Sequence, residues 1–480
     1  MLTIGLLGAW AAISLLQLAR FGLAWRYLRR GAAAGGDSGA RPDVVLLVPV
    51  LNEQGVIEDS LHWFGGLTAE LPWLSVVYVT TEREARAPAL PSTRELIERR
   101  LPSLERVRVV HYPYTYGVMA HQLNYAVDRL VERGGNDRLI GIYNVDSKPG
   151  PAAIVAARAA LLADPRCVVQ QYAIYPFPPP RDFTAAVLSH IACWQTRWSL
   201  HFELGRTLIA EALPWRRGAL GAAAALVRPM LYAIGHGLFL RAGCWRELSG
   251  FPEDEVNEDA FLGLQLRLAG YRMRNVPFLE PALPPPAIGV YLRQQAVWYN
   301  GPARAWHYWR KLIRGGAGRH RLRPQLGFRA AAWAALETSK LWLAALHWLL
   351  GPWLIVVLMP VLILAQRQYA ALLPWLALLI WWCWGFHRLV HRAYRAQGTA
   401  NAPPGGVVPA VVAYLLHGVG PLIWLARTLS GGNSQRRKYK TERSAGAEPE
   451  GALGSPNEMV YAPRAREHAE ERVLAGGDEL

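Results

Sequence analysis

The chain has 480 residues, of which 52% are hydrophobic and 20 are tryptophan, a composition more apolar than that of most soluble proteins. Lysine and arginine outnumber the acidic residues by 52 to 36, which suits anionic lipid, sugar nucleotides or nucleic acid as partners. No basic recognition helix or aromatic RNA-binding signature occurs, so we expect no nucleic-acid partner. The four cysteines are scattered singly, without the spacing of a zinc or redox motif, and are expected to be buried thiols.

Residues 1–30 predict a membrane anchor helix. The run MLTIGLLGAWAAISLLQLA is close to the roughly 20 apolar residues that span a bilayer. Its basic residues follow the apolar run, whereas a cleaved secretory signal carries them before it. The positive-inside rule places Arg26, Arg29 and Arg30, and the domain that follows, on the cytosolic side.

Residues 43–328 predict a doubly wound α/β domain. The runs DVVLLVPV, LSVVYVT, RVRVVHY and LIGIYNVD are typical of strands that a parallel sheet buries on both faces. Helical patterns such as GVIEDSLHWF and MAHQLNYAVDRLVERG lie between them. Because such sheets bind ligands at the carboxyl ends of their strands, the site is expected there.

Residues 329–430 predict an interfacial helix followed by membrane helices. Leu341 to Leu364 and Ala371 to Phe386 are apolar spans, whereas Gly and Pro interrupt Val407 to Ala426. If all three segments crossed, the basic run SQRRKYKTERS would lie outside, against the positive-inside rule, so we expect the third to be re-entrant or interfacial. Residues 431–480 are predicted to be a basic cytosolic segment and a disordered tail.

Polar residues follow two of the predicted strands. Asp146 ends its strand ahead of a Pro-Gly turn, where a carboxylate either caps the turn or binds a hard divalent cation with phosphate ligands. Asn52 and Glu53 lie in the loop after the first strand, where they either contact a base or ribose or, for Asn52, cap the next helix.

The run EVNEDAFLGL places acids at a helix start. Asn257 is expected to cap a helix that begins near Glu258, since acids in a first turn are favoured by the helix dipole. Glu255 reads as a solvated charge. The alternative is that the carboxylates of Glu258 and Asp259 do chemistry, which the small residues of the upstream GHG run favour because they permit close approach to a ligand.

The run YLRQQAVWYNGPARAWHYW carries candidate sugar ligands. The amides of Gln294 and Gln295 can hydrogen-bond sugar hydroxyls, and Trp298 lies one helical turn further on, where its face can stack on a pyranose. A membrane-interface belt is the alternative for the tryptophans, and it suits Trp306 and Trp309 better.

In this order, PVLNE, NVDS, GHGLFLR, NED and QQAVW ahead of membrane helices resemble a membrane-bound family-two glycosyltransferase. The resemblance is to the cellulose, chitin and hyaluronan synthases and the ceramide glucosyltransferases, and it covers about Asp43 to Leu364. It implies a cytosolic GT-A domain in a multi-pass protein of the plasma membrane. It also implies an inverting transfer from a nucleotide sugar, usually a UDP-sugar, with Mg²⁺ or Mn²⁺.

The resemblance also implies roles for individual residues. Asp146 would bind the metal, Asp259 would be the general base, and Gln294, Gln295 and Trp298 would bind the acceptor. Glu258, beside Asp259, is expected to act on that base by like-charge repulsion. The basic YKTER run resembles the family's gating segment and would offer Lys440 and Arg443 to the diphosphate. Nucleotide contacts would come from Pro49, Asn52, Glu53, Thr80 and Asn144.

Several positions depart from the family pattern. Asn144 replaces the first acid of the metal motif, VTTE replaces an acid that contacts the base, and Val297 replaces an arginine. The most favoured function is sugar transfer to a growing polysaccharide. The alternatives are non-processive transfer to a lipid acceptor, either a polyprenyl phosphate or a ceramide-like lipid, and a non-catalytic membrane subunit. Membrane partner subunits remain open.

Overall fold

The structure is a computed structural model. It describes residues 2–31, 43–86, 91–134, 137–213, 228–230, 232–313, 328–396, 405–430, 437–439 and 458–460. Lys440, Arg443 and most of the tail expected to be disordered lie outside these ranges.

The centre of the α/β domain is a seven-stranded mixed sheet of order β3-β2-β1-β4-β7-β5-β8. The strands predicted from the apolar runs pair in parallel, as expected, whereas β7 runs antiparallel to β4 and β5. Two further pairs, β6 with β9 and β10 with β11, form small separate sheets. The strands are β1 (Val44–Pro49), β2 (Leu74–Thr81), β3 (Val107–Tyr112), β4 (Leu139–Ile142), β5 (Cys167–Gln170), β6 (Ala173–Ile174), β7 (Leu238–Arg241), β8 (Arg272–Asn275), β9 (Glu280–Pro281), β10 (Arg437–Tyr439) and β11 (Glu458–Val460).

Helices cover both faces of the sheet, which confirms the doubly wound α/β prediction. Successive side chains of a strand point to opposite faces, so Val45 and Leu47 belong to one core cluster and Leu46 and Val48 to the other. The helices up to the membrane region are α1 (Leu2–Arg30), α2 (Ile57–Glu70), α3 (Thr93–Arg100), α4 (Met119–Gly134), α5 (Pro151–Ala163), α6 (Phe183–Arg197), α7 (Gly205–Ala212), α8 (Ala242–Leu248), α9 (Glu258–Leu268), α10 (Ile288–Ala303) and α11 (Ala305–Ile313).

Four helical segments among the described residues are long and apolar enough to cross a membrane: Thr3–Arg30, Ala331–Ala365, Tyr369–Arg395 and Val407–Leu429. Two of them contain a π-helical turn, at Leu354–Leu358 and Trp381–Gly385. The helices are α12 (Phe328–Trp353), α13 (Met359–Ala365), α14 (Leu372–Ile380), α15 (Phe386–Ala396) and α16 (Val407–Leu429).

The expected interfacial helix is not a separate element. It forms the first turns of α12, which continues unbroken into the membrane segment. This first part packs on the α/β domain, where Lys340 donates to the carbonyl of Arg228 at 2.8 Å and the Arg267 guanidinium lies 5.7 Å from the ring centre of Trp333. Contact with the domain therefore fixes a stretch that its amphipathic pattern assigned to the membrane surface.

The third C-terminal segment, α16, differs from the re-entrant alternative. It is one helix of 23 residues in spite of Pro421, and it packs against α6, α10 and α12. At the start of α16, the carbonyl oxygen of Gly406 lies 3.2 Å from His190 Nε2 of α6. Its end reaches α10, where Trp424 Nε1 donates to Asn300 Oδ1 at 2.9 Å.

A buried arginine joins the domain to the membrane helices. Arg197, at the end of α6, is fully buried and donates to Gln17 Oε1 of α1 and to the carbonyl of Trp382, both at 2.5 Å. Its guanidinium also lies 4.0 to 4.4 Å from the ring centres of Trp194, Trp382 and Phe386. We call this group the Arg197 centre.

Candidate active site

A cavity of about 770 Å³ opens at the carboxyl ends of β1 and β4 and extends to α6, α9, α10 and α12. It therefore begins at the strand ends where a doubly wound sheet binds its ligands and continues to the helices that reach the membrane. It brings together most of the residues chosen from the sequence: Pro49, Glu53, Asn144, Asp146, Glu258, Asp259, Gln294, Gln295 and Trp298.

Two predicted nucleotide ligands do not line this cavity. Thr80 is 1% exposed, and its hydroxyl lies 2.9 Å from His111 Nδ1, on the side of the neighbouring strand. Asn52 adopts a left-handed backbone conformation with φ of 51°. The alternative role of Asn52 as a helix cap is also absent, because Val56 occupies the cap position of α2.

Backbone amides hold the carboxylate of Asp259. Its Oδ2 accepts from the N–H of Gly235 at 3.0 Å, and its Oδ1 accepts from the N–H of Ala260 at 2.8 Å. A Cβ at Gly235 would lie 3.4 Å from Oδ2, an ordinary contact distance, so this hydrogen bond does not itself require glycine. These two backbone donors fix the direction of the carboxylate.

Asn257 occupies the cap position of α9, but the predicted side-chain cap is wrong, since no cap hydrogen bond forms. Its Nδ2 donates instead to the carbonyl of Val297 at 3.2 Å, and its Oδ1 accepts from Asn300 Nδ2 at 2.9 Å. The helix start that carries Asp259 is thereby tied to α10, the helix of Gln294, Gln295 and Trp298.

A buried glutamine holds the backbone of the Gly-His-Gly run. Gln170, at the end of β5, accepts from the N–H of Ile234 at 3.1 Å and donates to the carbonyl of His236 at 2.7 Å. Gly237 has φ of 64°, and a Cβ there would lie 2.6 Å from the carbonyl oxygen of Gln171. The sequence indicated the need for glycine here but gave no sign of Gln170.

His236 and Glu280 are site residues that the sequence analysis missed. Both line the cavity, and His236 Nδ1 lies 3.7 Å from Glu280 Oε2. Burial alone would lower the pKa of His236, but the neighbouring carboxylate of Glu280, with Asp146 and Glu203, raises it above its ordinary value. In the sequence, the position of His236 between two glycines could have indicated a site residue, whereas no residue next to Glu280 distinguishes it.

The described lining of the cavity is acidic. It contains seven carboxyl groups and no lysine or arginine, in a chain with a formal net charge of +16. A nucleoside diphosphate in such a space requires a cation, and Mg²⁺ or Mn²⁺ needs only one or two carboxylates beside phosphate and water oxygens. Asp146 fits that role, although no group of three or more potential ligand side chains converges within the described ranges.

The amide and aromatic wall of the cavity lies opposite these acids. Gln195 Nε2 of α6 donates to Gln294 Oε1 at 3.1 Å, and Trp298 keeps 39% of its surface exposed. Trp306 and Trp309 are not lining residues, as the belt alternative suggested for them. A π-helical turn after α6, at Trp198–Leu204, adds Trp198, Phe202 and Glu203, which sequence reasoning did not select.

The interpretation of Glu255 as a solvated charge is wrong. The side chain is 1% exposed and lies 2.8 Å from Lys311 Nζ, 3.2 Å from His307 Nε2 and 3.3 Å from Arg304 Nη1. Burial raises its pKa, but the hydrogen bond from His307 and the charges of Lys311 and Arg304 outweigh burial and leave the pKa below its ordinary value. Glu255 thus anchors the loop before Asp259 to the start of α11.

Residues 215–385 match the family described as glycosyl transferase family group 2. No curated protein matches the sequence.

The solved structures that this chain matches include the mannosyltransferase PcManGT from Pyrobaculum calidifontis, in complex with GDP-Man and Mn²⁺. It is 18% identical, covers 87% of this chain and 99% of its own, and has a TM-score of 0.42. Residues 1–349 of TarS from S. aureus are 12% identical, with 85% of this chain and 99% of the other covered and a TM-score of 0.37.

Proposed function

We propose that this chain, a glycosyltransferase of family group 2 by its match over residues 215–385, moves a sugar from a nucleotide diphosphate donor to a growing polysaccharide with inversion. The observation that carries the proposal is the shape of the cavity. One space contains Asp146 and Asp259 at the sheet edge and also Gln294, Gln295 and Trp298 on a helix that packs against the membrane segments. Donor and acceptor chemistry thus meet in one place.

Asp259 acts as the general base. The acceptor hydroxyl oxygen attacks the anomeric carbon while its proton passes to the Asp259 carboxylate, and the bond from that carbon to the diphosphate oxygen breaks as the nucleoside diphosphate leaves. The N–H of Gly235 fixes the carboxylate before the reaction, so the base does not reorient. A single displacement of this kind inverts the anomeric configuration.

The donor lies at the strand ends, beside Pro49, Glu53, Asn144 and Asp146. When bound, Mg²⁺ or Mn²⁺ would neutralise charge on the leaving diphosphate. Asp146 would hold the ion, and a UDP-sugar is the expected donor. Lys440 and Arg443 are proposed to approach the diphosphate from the C-terminal segment. The nearby strand β10, Arg437–Tyr439, lies within 8 Å of α10, measured between Cα atoms.

The acceptor lies along the amide and aromatic wall. Gln294 and Gln295 offer hydrogen bonds to sugar hydroxyls, and the exposed face of Trp298 offers a surface for a pyranose ring. We place the protein in the plasma membrane with the α/β domain in the cytosol, because the last turn of α1 carries Arg29 and Arg30.

The test uses the full chain in lipid nanodiscs with radiolabelled UDP- and GDP-sugars and Mg²⁺ or Mn²⁺. The expected product is a water-soluble polymer that grows with time. A short product that extracts into chloroform would show that the acceptor is a lipid and not a growing polysaccharide. Absence of transfer with every donor would overturn the proposal.

A further inference from the structure

The π-helical turn Trp198–Leu204 builds part of the cavity wall away from Asp259. Turns of this type are rare and occur often at functional sites. Here the turn directs Trp198, Ser199, Phe202 and Glu203 to the cavity. No step of the proposed reaction uses these side chains.

Glu203 is held at this wall by two donors from the same cavity. Trp198 Nε1 donates to Glu203 Oε1 at 3.1 Å, and the hydroxyl of Tyr232 donates to the same oxygen at 3.0 Å. Burial raises the pKa of Glu203, against the hydrogen bond from Tyr232 and the charge of Arg206. Glu203 lines the cavity and is partly buried, which places a carboxyl group at the cavity wall.

Aromatic rings surround this carboxyl group. The ring of Trp198 lies 3.8 Å from that of Phe202 and 5.7 Å from that of Trp348, measured between ring centres. Trp348 in turn stacks on His417 of α16 at 5.0 Å and 12°. Flat rings beside a carboxyl group suit the C–H faces and hydroxyl groups of a sugar.

The charge of the cavity lining distinguishes two classes of acceptor, phosphate-headed lipids and neutral polyols. A phosphate-headed lipid entering the cavity would meet Glu203 and Glu280, and the described lining offers no lysine or arginine to pair with it. An isolated pair of like charges in such a space is costly, whereas neutral hydroxyl groups donate to carboxylates. The cavity therefore fits a neutral polyol better than a polyprenyl phosphate.

We infer that Glu203, Trp198 and Tyr232 form a subsite for a neutral sugar unit of the acceptor, separate from the Gln294 to Trp298 segment. The inference rests on the proposed function. Glu203 accepts hydrogen bonds from the hydroxyls of the sugar, Trp198 supplies its ring face, and Tyr232 keeps the carboxyl group in place.

The test compares Glu203→Ala and Glu203→Gln with the unchanged full chain in nanodiscs. Radiolabelled donor is followed into two products, transferred sugar and free sugar released to water. Loss of a buried hydrogen-bonding group is expected to lower the ratio of transferred to free sugar about tenfold for Glu203→Ala, with the donor KM unchanged. Glu203→Gln keeps the size and one acceptor oxygen and is expected to recover part of the ratio.

Glu211→Ala is the matched control, since this glutamate lies on α7 outside the cavity lining and should leave the ratio unchanged. The subsite is overturned if both Glu203 variants transfer sugar as the unchanged chain does, while Asp259→Asn still abolishes transfer. It is also overturned if the product is a phosphate lipid. No transfer by the unchanged chain would instead refute the proposed function itself.

Discussion

At the scale of single residues, we expect the largest loss of activity from substitution of Asp259. Asp259→Asn keeps the size of the side chain but removes the carboxylate that we propose takes the acceptor proton, so turnover is expected to fall about a thousandfold. The donor KM should change little, because the proposed role of this carboxylate is toward the acceptor. Initial rates of radiolabelled transfer would measure both quantities.

Asp182→Asn is the control for that substitution. Asp182 caps α6 by accepting from the N–H of Ala185 at 2.7 Å, and asparagine caps a helix equally well. The control should retain full activity. Comparable activity of the two variants would remove Asp259 from the role of base.

The buried Glu255 predicts a dependence of stability on pH. Its folded pKa lies below its value in the unfolded chain, so the carboxylate stabilises the fold above about pH 4.5 and loses that effect as pH falls through the folded pKa. Glu255→Gln is expected to cost about 3 kcal/mol at pH 7, as for a broken buried ion pair. The difference from the unchanged chain should shrink in acid.

Thermal unfolding in detergent from pH 7 down to pH 4 would measure this difference. Glu98→Gln serves as the comparison, since Glu98 pairs with Arg94 at 2.7 Å on the exposed surface. This substitution should change the free energy of unfolding by less than about 0.5 kcal/mol. A constant difference across the pH range would show that the loss is one of packing and not of charge.

Asp259 and Glu255 also show what a sequence can predict at this scale. Asp259 was selected because it stands in an ordered set of motifs, and the structure brings it into one cavity with the other predicted residues Asp146 and Gln294. Glu255 was misread because its partners Arg304, His307 and Lys311 follow about fifty residues later, and no local pattern joins them to it. Glu203 and Glu280 were missed for the same reason, since only the folded chain gives them neighbours.

At the scale of elements, a chain of hydrogen bonds runs from α16 to the start of α9. Trp424 Nε1 donates to Asn300 Oδ1, Asn300 Nδ2 donates to Asn257 Oδ1, and Asp259 lies two residues beyond Asn257. The helices touch closely here, since a Cβ at Gly420 would lie 2.4 Å from the Cβ of Gln295. A shift of α16 would therefore be passed on to the start of α9, where Asp259 lies.

Trp424→Phe tests this connection. Phenylalanine keeps a ring against Tyr299, which lies 5.3 Å away between ring centres, but leaves the buried Asn300 oxygen without its donor. We expect kcat to fall several-fold with little change in the donor KM, because an unsatisfied buried acceptor costs about 1–3 kcal/mol and loosens the loop. Steady-state kinetics would separate the two parameters.

Trp353→Phe is the matched control, because the indole N–H of Trp353 has no hydrogen-bond partner within the described part of the chain. Equal losses of kcat in the two variants would point to ring packing and would contradict the connection.

Strands and helices of the domain were predicted well, because buried parallel strands are continuous apolar runs. The antiparallel β7 was not predicted, since LFLR is too short to reveal its direction. The π-helical turn after α6 was not predictable either, because packing among Trp198, Tyr232 and Trp348 accompanies it and these residues are distant in sequence.

At the scale of the whole molecule, the course of α16 bears on membrane topology. Helices of the α/β domain accompany α16 from His190 near its start to Asn300 near its end. Its first half also packs with the membrane helices, since Ala413 and Tyr414 share a core cluster with Trp382. We propose that α16, held near both ends by α6 and α10, lies at the membrane surface, which gives three crossings and a cytosolic C-terminal segment. This also satisfies the positive-inside rule for the basic residues that follow.

Cysteine labelling in intact cells would test the topology. The four native cysteines are all buried, so a membrane-impermeant maleimide should report on introduced sites. Ala370→Cys, exposed at the start of the span Tyr369–Arg395, is expected to react from outside, and Ser430→Cys only after lysis. Reaction of Ser430→Cys in unbroken cells would mean that α16 crosses the membrane.

The Arg197 centre has a consequence for biosynthesis. Its hydrogen-bond partners, Gln17 and the carbonyl of Trp382, are separated by 365 positions, so Gln17 leaves the ribosome long before Trp382. Until Trp382 emerges and inserts, the guanidinium of an already synthesised domain has only part of its final enclosure. Docking of the domain onto its membrane helices is therefore a late event, and a nascent chain stopped before residue 369 would be a natural target for quality-control proteases.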